Sequence, residues 1–89
     1  MDQTHYANGQ KVYEMDGHTL TYFYRDGTLK AKGTFSDGHK QGLWQYFRKS
    51  GHLWKEGSYQ NGKREGLWEQ FSPEGQVEVE VRYENGKMK

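Results

Sequence analysis

The chain has 89 residues, of which 31% are hydrophobic and 16% aromatic, a formal net charge of +1 and no cysteine. So short and polar a chain, with a mean hydropathy of −1.25, can bury only a thin core, roughly 60–65% of its extended surface, and most of its apolar groups are large rings. A disulfide framework, a thiolate metal site and a bilayer-crossing helix are excluded, and with no secretory pattern in residues 1–20 the expectation is a soluble cytoplasmic protein.

Residues 1–17 read as an N-terminal partial repeat or cap, because "HYANGQKVY" echoes "SYQNGKREG" before its spacing breaks by four residues. From residue 18 the chain repeats with a period of 24: "HTLTYFYRDGTLKAKGTFSDGHKQ" (18–41), "GLWQYFRKSGHLWKEGSYQNGKRE" (42–65) and "GLWEQFSPEGQVEVEVRYENGKMK" (66–89). Phe23, Phe47 and Phe71 coincide, as do Gly27, Gly51 and Gly75, then Leu29, Leu53 and Val77, then Phe35, Tyr59 and Tyr83. Trp44 and Trp68 fall on Leu20. In-register repetition of this length marks a single domain of stacked units, each covering the next.

Within each unit the order is strand, turn, strand, turn. Asp26-Gly27, Asp37-Gly38, Asn61-Gly62 and Asn85-Gly86 supply the backbone that tight hairpins require. Such signals recur every 8 to 13 residues, which leaves room for strands and none for an ordinary helix. In "QVEVEVRY", Val77, Val79, Val81 and Tyr83 alternate with polar residues, so one face is wet. Straight alternation puts Leu53, Gly57 and Tyr59, and likewise Leu29, Ala31, Gly33 and Phe35, on the dry face. The first strand of a unit is apolar on both sides, Trp44 and Tyr46 against Leu43 and Phe47. Gly33 and Gly57, in mid-strand, are predicted to lie under a ring from the neighbouring strand. The fold class is thus all-β: a single-layer twisted antiparallel meander of stacked 24-residue β-hairpin repeats, about six or seven strands, with Leu20/Trp44/Trp68 and Phe23/Phe47/Phe71 ladders.

Catalytic chemistry is not expected. His39 and His52 sit beside turns and are exchanged for other polar residues between copies, and no nucleophile elbow, phosphate loop or ligand-spaced cluster occurs. No catalytic residue, metal or cofactor is assigned. Charge is more informative. Residues 42–64 carry Arg48, Lys49, Lys55, Lys63 and Arg64 against Glu56, net +4, whereas residues 65–86 carry Glu65, Glu69, Glu74, Glu78, Glu80 and Glu84 against Arg82, net −5. A basic middle and an acidic end follow, either of which can steer a partner. The acidic third repeat and a pI of 8.0 weigh against nucleic acid and anionic membrane. Rings present in only one or two copies are not needed by the repeat and are candidates for contact. The candidate partner-binding residues are Tyr22, Tyr24, Tyr46, Arg48, Lys49, Trp54, Lys55, Arg64, Glu78 and Glu80.

The pattern G-x-W…G…Y-x-N-G-K…G-x-W resembles the MORN repeat, in the variant form found in small bacterial proteins, over residues 18–89. The first copy departs in Thr19-Leu20 and His39. The resemblance implies a twisted ribbon of hairpins and a scaffold that binds proteins or anionic lipids; bacterial members are labelled antitoxins. The expected function is a non-catalytic protein-binding module, an antitoxin or immunity-type inhibitor that occludes a toxin or effector. The alternatives are a structural or self-assembling repeat, dimerising through sheet edges or terminal repeats, and an electrostatic binder of lipid or nucleic acid.

Overall fold

A computed structural model describes residues 4–89 and arranges them as eight strands: β1 (Tyr13–Asp16), β2 (Thr19–Phe23), β3 (Leu29–Ser36), β4 (His39–Phe47), β5 (Leu53–Gln60), β6 (Lys63–Phe71), β7 (Val77–Glu84) and β8 (Lys87–Met88). They form one antiparallel sheet whose spatial order is the sequence order. Six or seven strands undercounts this sheet at its ends. The segment ahead of the first repeat supplies β1, and the end of the chain supplies β8 through the pairs Tyr83↔Met88 and Glu84↔Lys87.

Two kinds of turn make two different rims. Asp37, Asn61 and Asn85 have φ of 53°, 51° and 53°, each followed by a glycine of positive φ. Two successive left-handed residues match the twist of the flanking strands, which is why Asp-Gly and Asn-Gly stand there. On the other rim the loops are wider. Tyr24, Arg48 and Ser72 each donate a backbone N–H to a carbonyl four residues on, at Thr28, His52 and Gln76, over 2.8 Å.

The packing core is a line of side chains lying on one face of the sheet. Trp44 is wholly buried at 0% exposure, and Leu20, Ala31 and Trp68 complete the buried hydrophobic set among the described residues. Tyr22, Phe35, Tyr46 and Tyr59 pack against the Leu20–Ala31–Trp44 cluster. The indole of Trp44 covers Gly33 and that of Trp68 covers Gly57, as the sequence predicts. A Cβ on either glycine would come within 2.3 and 2.1 Å, respectively, of the ring's Cδ2. Each indole is held flat by its own N–H, which donates to Thr34 O (2.8 Å) or Ser58 O (3.0 Å) on the strand it covers. A buried indole removes on the order of 200 Å² from water, worth roughly 5 kcal/mol. Val81, at the same position of the third repeat, pairs with Trp68.

Straight alternation fails before the phenylalanine of each repeat. The register shifts between Tyr22 and Phe23, Tyr46 and Phe47, and Gln70 and Phe71. Tyr46 therefore pairs with Lys55 while Phe47 pairs with Leu53, leaving Trp54 as the extra residue. One inserted residue carries everything beyond it to the other face. Leu53 thus lines up with Phe47 rather than with Gly57 and Tyr59, and Leu29 and Val77 likewise join Phe23 and Phe71. The phenylalanine line stays half-buried and outside the core cluster.

Candidate binding face

The ring-bearing face is built from two adjacent register lines. One runs Tyr13–Tyr22–Ala31–Tyr46–Lys55–Gln70–Val79, strand by strand. The other begins Met15–Leu20–Gly33–Trp44–Gly57 and continues with Trp68 and Val81. Tilted and edge-on contacts join the rings across strands: Tyr13–Tyr22 at 6.2 Å, Tyr22–Trp44 at 6.4 Å, Tyr46–Trp68 at 6.1 Å and Tyr59–Trp68 at 5.1 Å. Among the described residues no second layer of strands or helices covers them.

Three cations lie on this floor. Lys40 Nζ stands 4.9 Å from the Trp44 ring centre and 5.2 Å from that of Tyr59. Lys55 Nζ is 5.2 Å from that of Tyr46, and the Arg64 guanidinium is 4.6 Å from that of Trp68. Lys40 and Trp44 are four residues apart, about 13 Å along a straight strand. Gly42 and Gly66, with φ of 65° and 75°, bend β4 and β6 between cation and indole. The register shift beside each glycine shows the bulge.

The cations are strung together by tyrosine hydroxyls. Lys40 Nζ donates to Tyr46 Oη at 3.3 Å, the Tyr46 and Tyr59 hydroxyls are 2.7 Å apart, and Arg64 donates to Tyr83 Oη at 2.8 Å. Burial pushes the Tyr46 hydroxyl well above the ordinary tyrosine range, and its bond to Tyr59 adds to this, so it stays protonated. Burial acts against the Arg64 charge as well, but hydrogen bonds with Tyr83 and Tyr59 outweigh it and the net shift is upward. For Lys55 the balance goes the other way: burial, then the nearby Arg64 charge, lower its pKa more than Tyr59 raises it. The ion pairs found among the described residues are Lys11–Glu14 and Lys89–Glu84, so none of these three cations is neutralised by another described residue.

Carboxylates gather on the opposite face. Glu56, Glu69 and Glu80 stand directly across from one another on β5, β6 and β7. The charge asymmetry read along the repeats is therefore also an asymmetry between faces. Among the described residues no group of three or more acidic or histidine side chains is placed to hold a metal ion.

The ten candidate residues fall in three places. Tyr22, Tyr46, Lys55 and Arg64 share the ring face. Tyr24, Arg48, Lys49 and Trp54 belong to the wide-loop rim, where Tyr24 donates its hydroxyl to Phe47 O (2.7 Å) and ties one repeat to the next. Tyr6 makes the same bond to Phe23 O at 2.8 Å. The Arg48 guanidinium lies 5.5 Å from the Trp54 ring centre, with its Nε buried and unpartnered. Glu78 and Glu80 are exposed on β7, and Glu80 ends the carboxylate row. Sequence reasoning passed over Lys40; the signal was its place in the slot of Arg64, four residues ahead of each tryptophan.

At the β1 edge the floor opens into a hollow of about 280 Å³ lined by Tyr13, Met15, Leu20, Tyr22 and Phe35. Its cause is local. Leu20 stands where later repeats have an indole, and the β1–β2 hairpin turns back at Gly17-His18, four residues later in the repeat frame than Asp37-Gly38 does. This shortened hairpin brings no counterpart of Lys40 to cover the site.

Residues 19–37, 40–61 and 64–85 match the profile of the MORN repeat variant, together well over half of the chain. Each stretch spans one hairpin: β2–β3, β4–β5 or β6–β7. No curated protein matches the sequence. MORN repeats are non-enzymatic modules that bind proteins or membranes. The repeats, the indole-on-glycine stacking and the profile match agree: the chain belongs to the MORN repeat variant family.

Proposed function

We propose that this chain is a protein-binding module of the inhibitor or antitoxin kind, which acts in the cytoplasm by covering part of a toxin or effector. The observation that carries this reading is one sheet face of half-buried tyrosine rings and of cations that no ion pair among the described residues neutralises. Aromatic residues and arginine in a preformed, rigid arrangement are what protein-binding hot spots are made of. Light scattering over a hundredfold concentration range, with and without lysate of the source cell, tests it. A monomer that moves into a complex of defined mass supports the reading, and rescue of cell growth on co-expression with the captured protein supports its inhibitor form. A chain that forms no complex and rescues nothing would overturn it.

A second reading, self-assembly, rests on the sheet's ends. Met88 is 69% exposed on β8 and Val77 and Val79 are exposed on β7, while Tyr13 and Met15 are exposed on β1. Open edges of this sort pair with other strands. This reading expects homo-oligomers that grow with concentration and ignore lysate.

A further inference from the structure

We infer that the ring face docks an acidic segment of a partner protein, with carboxylates on Lys40, Lys55 and Arg64 and a neighbouring apolar side chain in the Tyr13–Leu20–Phe35 hollow. This inference rests on the binding-module reading and names the chemistry of the partner.

Three observations carry it. The first is charge. Lys40, Lys55 and Arg64 sit on three successive strands, with Lys40 and Lys55 Nζ both over the Tyr46 ring, 5.7 and 5.2 Å from its centre, and no ion pair among the described residues neutralises any of them. Their mutual repulsion is felt within the chain, since Arg64 and Lys40 both disfavour the charged form of Lys55. An incoming carboxylate removes that repulsion.

The second is hydrogen-bond direction. Lys40 donates to Tyr46 Oη, and the Tyr46 and Tyr59 hydroxyls share one hydrogen bond in which either is able to donate. One of their two hydroxyl hydrogens is thus not used in that bond, and Tyr83, which accepts from Arg64, also keeps its own hydrogen. Two hydroxyl donors between cations form an acceptor-seeking surface, and hydrogen bonds to an ionised acceptor are the strong kind.

The third is the hollow. Phe35, on its wall, pairs directly with Lys40. An apolar seat therefore adjoins the cation row, and a peptide presents an aliphatic group and a carboxylate at that separation. The carboxylates behind the sheet repel the long backbone of a phosphate polymer.

The test is titration calorimetry of the full chain with short blocked peptides, each holding one leucine followed by glutamates spaced with glycine. The glutamate peptide is expected to bind at least about tenfold more tightly than its glutamine counterpart, and to weaken with added salt. Exchanging the leucine for glycine, or changing Lys40→Gln or Lys55→Gln, costs about three- to tenfold each. Glu80→Gln, on the other face, changes binding less than twofold. Circular dichroism confirms that each variant is folded. Equal binding of both peptides overturns the inference, as does full competition by inorganic phosphate. Preference for phosphatidylserine vesicles over the peptide assigns the face to lipid and overturns it too. Capture of a protein partner that survives the Lys40→Gln/Lys55→Gln double change leaves the module reading intact and overturns this one alone.

Discussion

The indole of Trp68 lies directly on the backbone of Gly57, where a Cβ would come within 2.1 Å of its Cδ2. The ring covers the glycine and the glycine makes room for the ring. Neither residue has its stabilising effect without the other. Gly57→Ala is therefore expected to lose about 2–3 kcal/mol, the upper part of the overpacking range, although alanine is ordinarily a mild change in a strand. Denaturant unfolding measures it. A loss below about 0.5 kcal/mol would show that the ring can slide aside.

The first repeat offers the reverse experiment. Leu20 pairs with Met15, where the other repeats pair tryptophan with glycine. Leu20→Trp alone would drive an indole against Met15 and destabilise the sheet by about 1–3 kcal/mol. Adding Met15→Gly restores the pairing seen in the later repeats, and the double variant should recover most of the loss. The coupling between the two changes, read from a double-mutant cycle, is expected to exceed about 1 kcal/mol; additive effects would contradict the pairing rule.

Tyr24 tests how neighbouring repeats are tied at the wide-loop rim. Its hydroxyl donates to Phe47 O at 2.7 Å. Tyr24→Phe leaves the ring and deletes the donor, at a cost of about 1 kcal/mol. Thermal unfolding is the readout. Fluorescence of Trp44 and Trp68 should be unchanged, because the rim lies away from both indoles.

The protonated state of Tyr46 sets a limit at high pH. Its pKa is raised, by burial first and by Tyr59 second, above the unfolded value near 10. The unfolded chain thus loses the proton first, so above pH ~10 the native state binds more protons than the unfolded state does. Stability is then fully present below pH ~10 and falls as pH rises further. Tyr46→Phe should flatten this alkaline loss in denaturant titrations between about pH 9 and 12. An unchanged slope would move the effect to another group.

Much of the fold was legible because the repeat is legible. Asp37-Gly38, Asn61-Gly62 and Asn85-Gly86 announce hairpins through their backbone, and glycine in mid-strand at 33 and 57 announces a covering ring. What alternation could not show was the inserted residue. Nothing about Trp54 as a residue type says that Tyr46 will pair with Lys55 and Phe47 with Leu53, because a register shift depends on pairing across strands and not on the pattern within one. The candidate site suffered from this. Lys55 and Arg64 were found by charge, but their meeting with Lys40 over the rings depends on the bulges at Gly42 and Gly66. Rings judged by how often they recur were sorted less well. Tyr24, absent from the other copies, is a tether, whereas Tyr46 is part of the floor.

The sheet keeps its strands in chain order from β1 to β8, so β1 and β8 end the ribbon at opposite edges. Tension applied to those edges acts along the hydrogen bonds, across the strands, and not along the strand axes. It loads one strand pair at a time and opens the ribbon like a zip. Each step gives up only the contacts between adjacent hairpins, as in other arrays held by nearest neighbours. The ribbon is therefore mechanically weak when stretched end to end, and a protein laid across its strands would act as a splint.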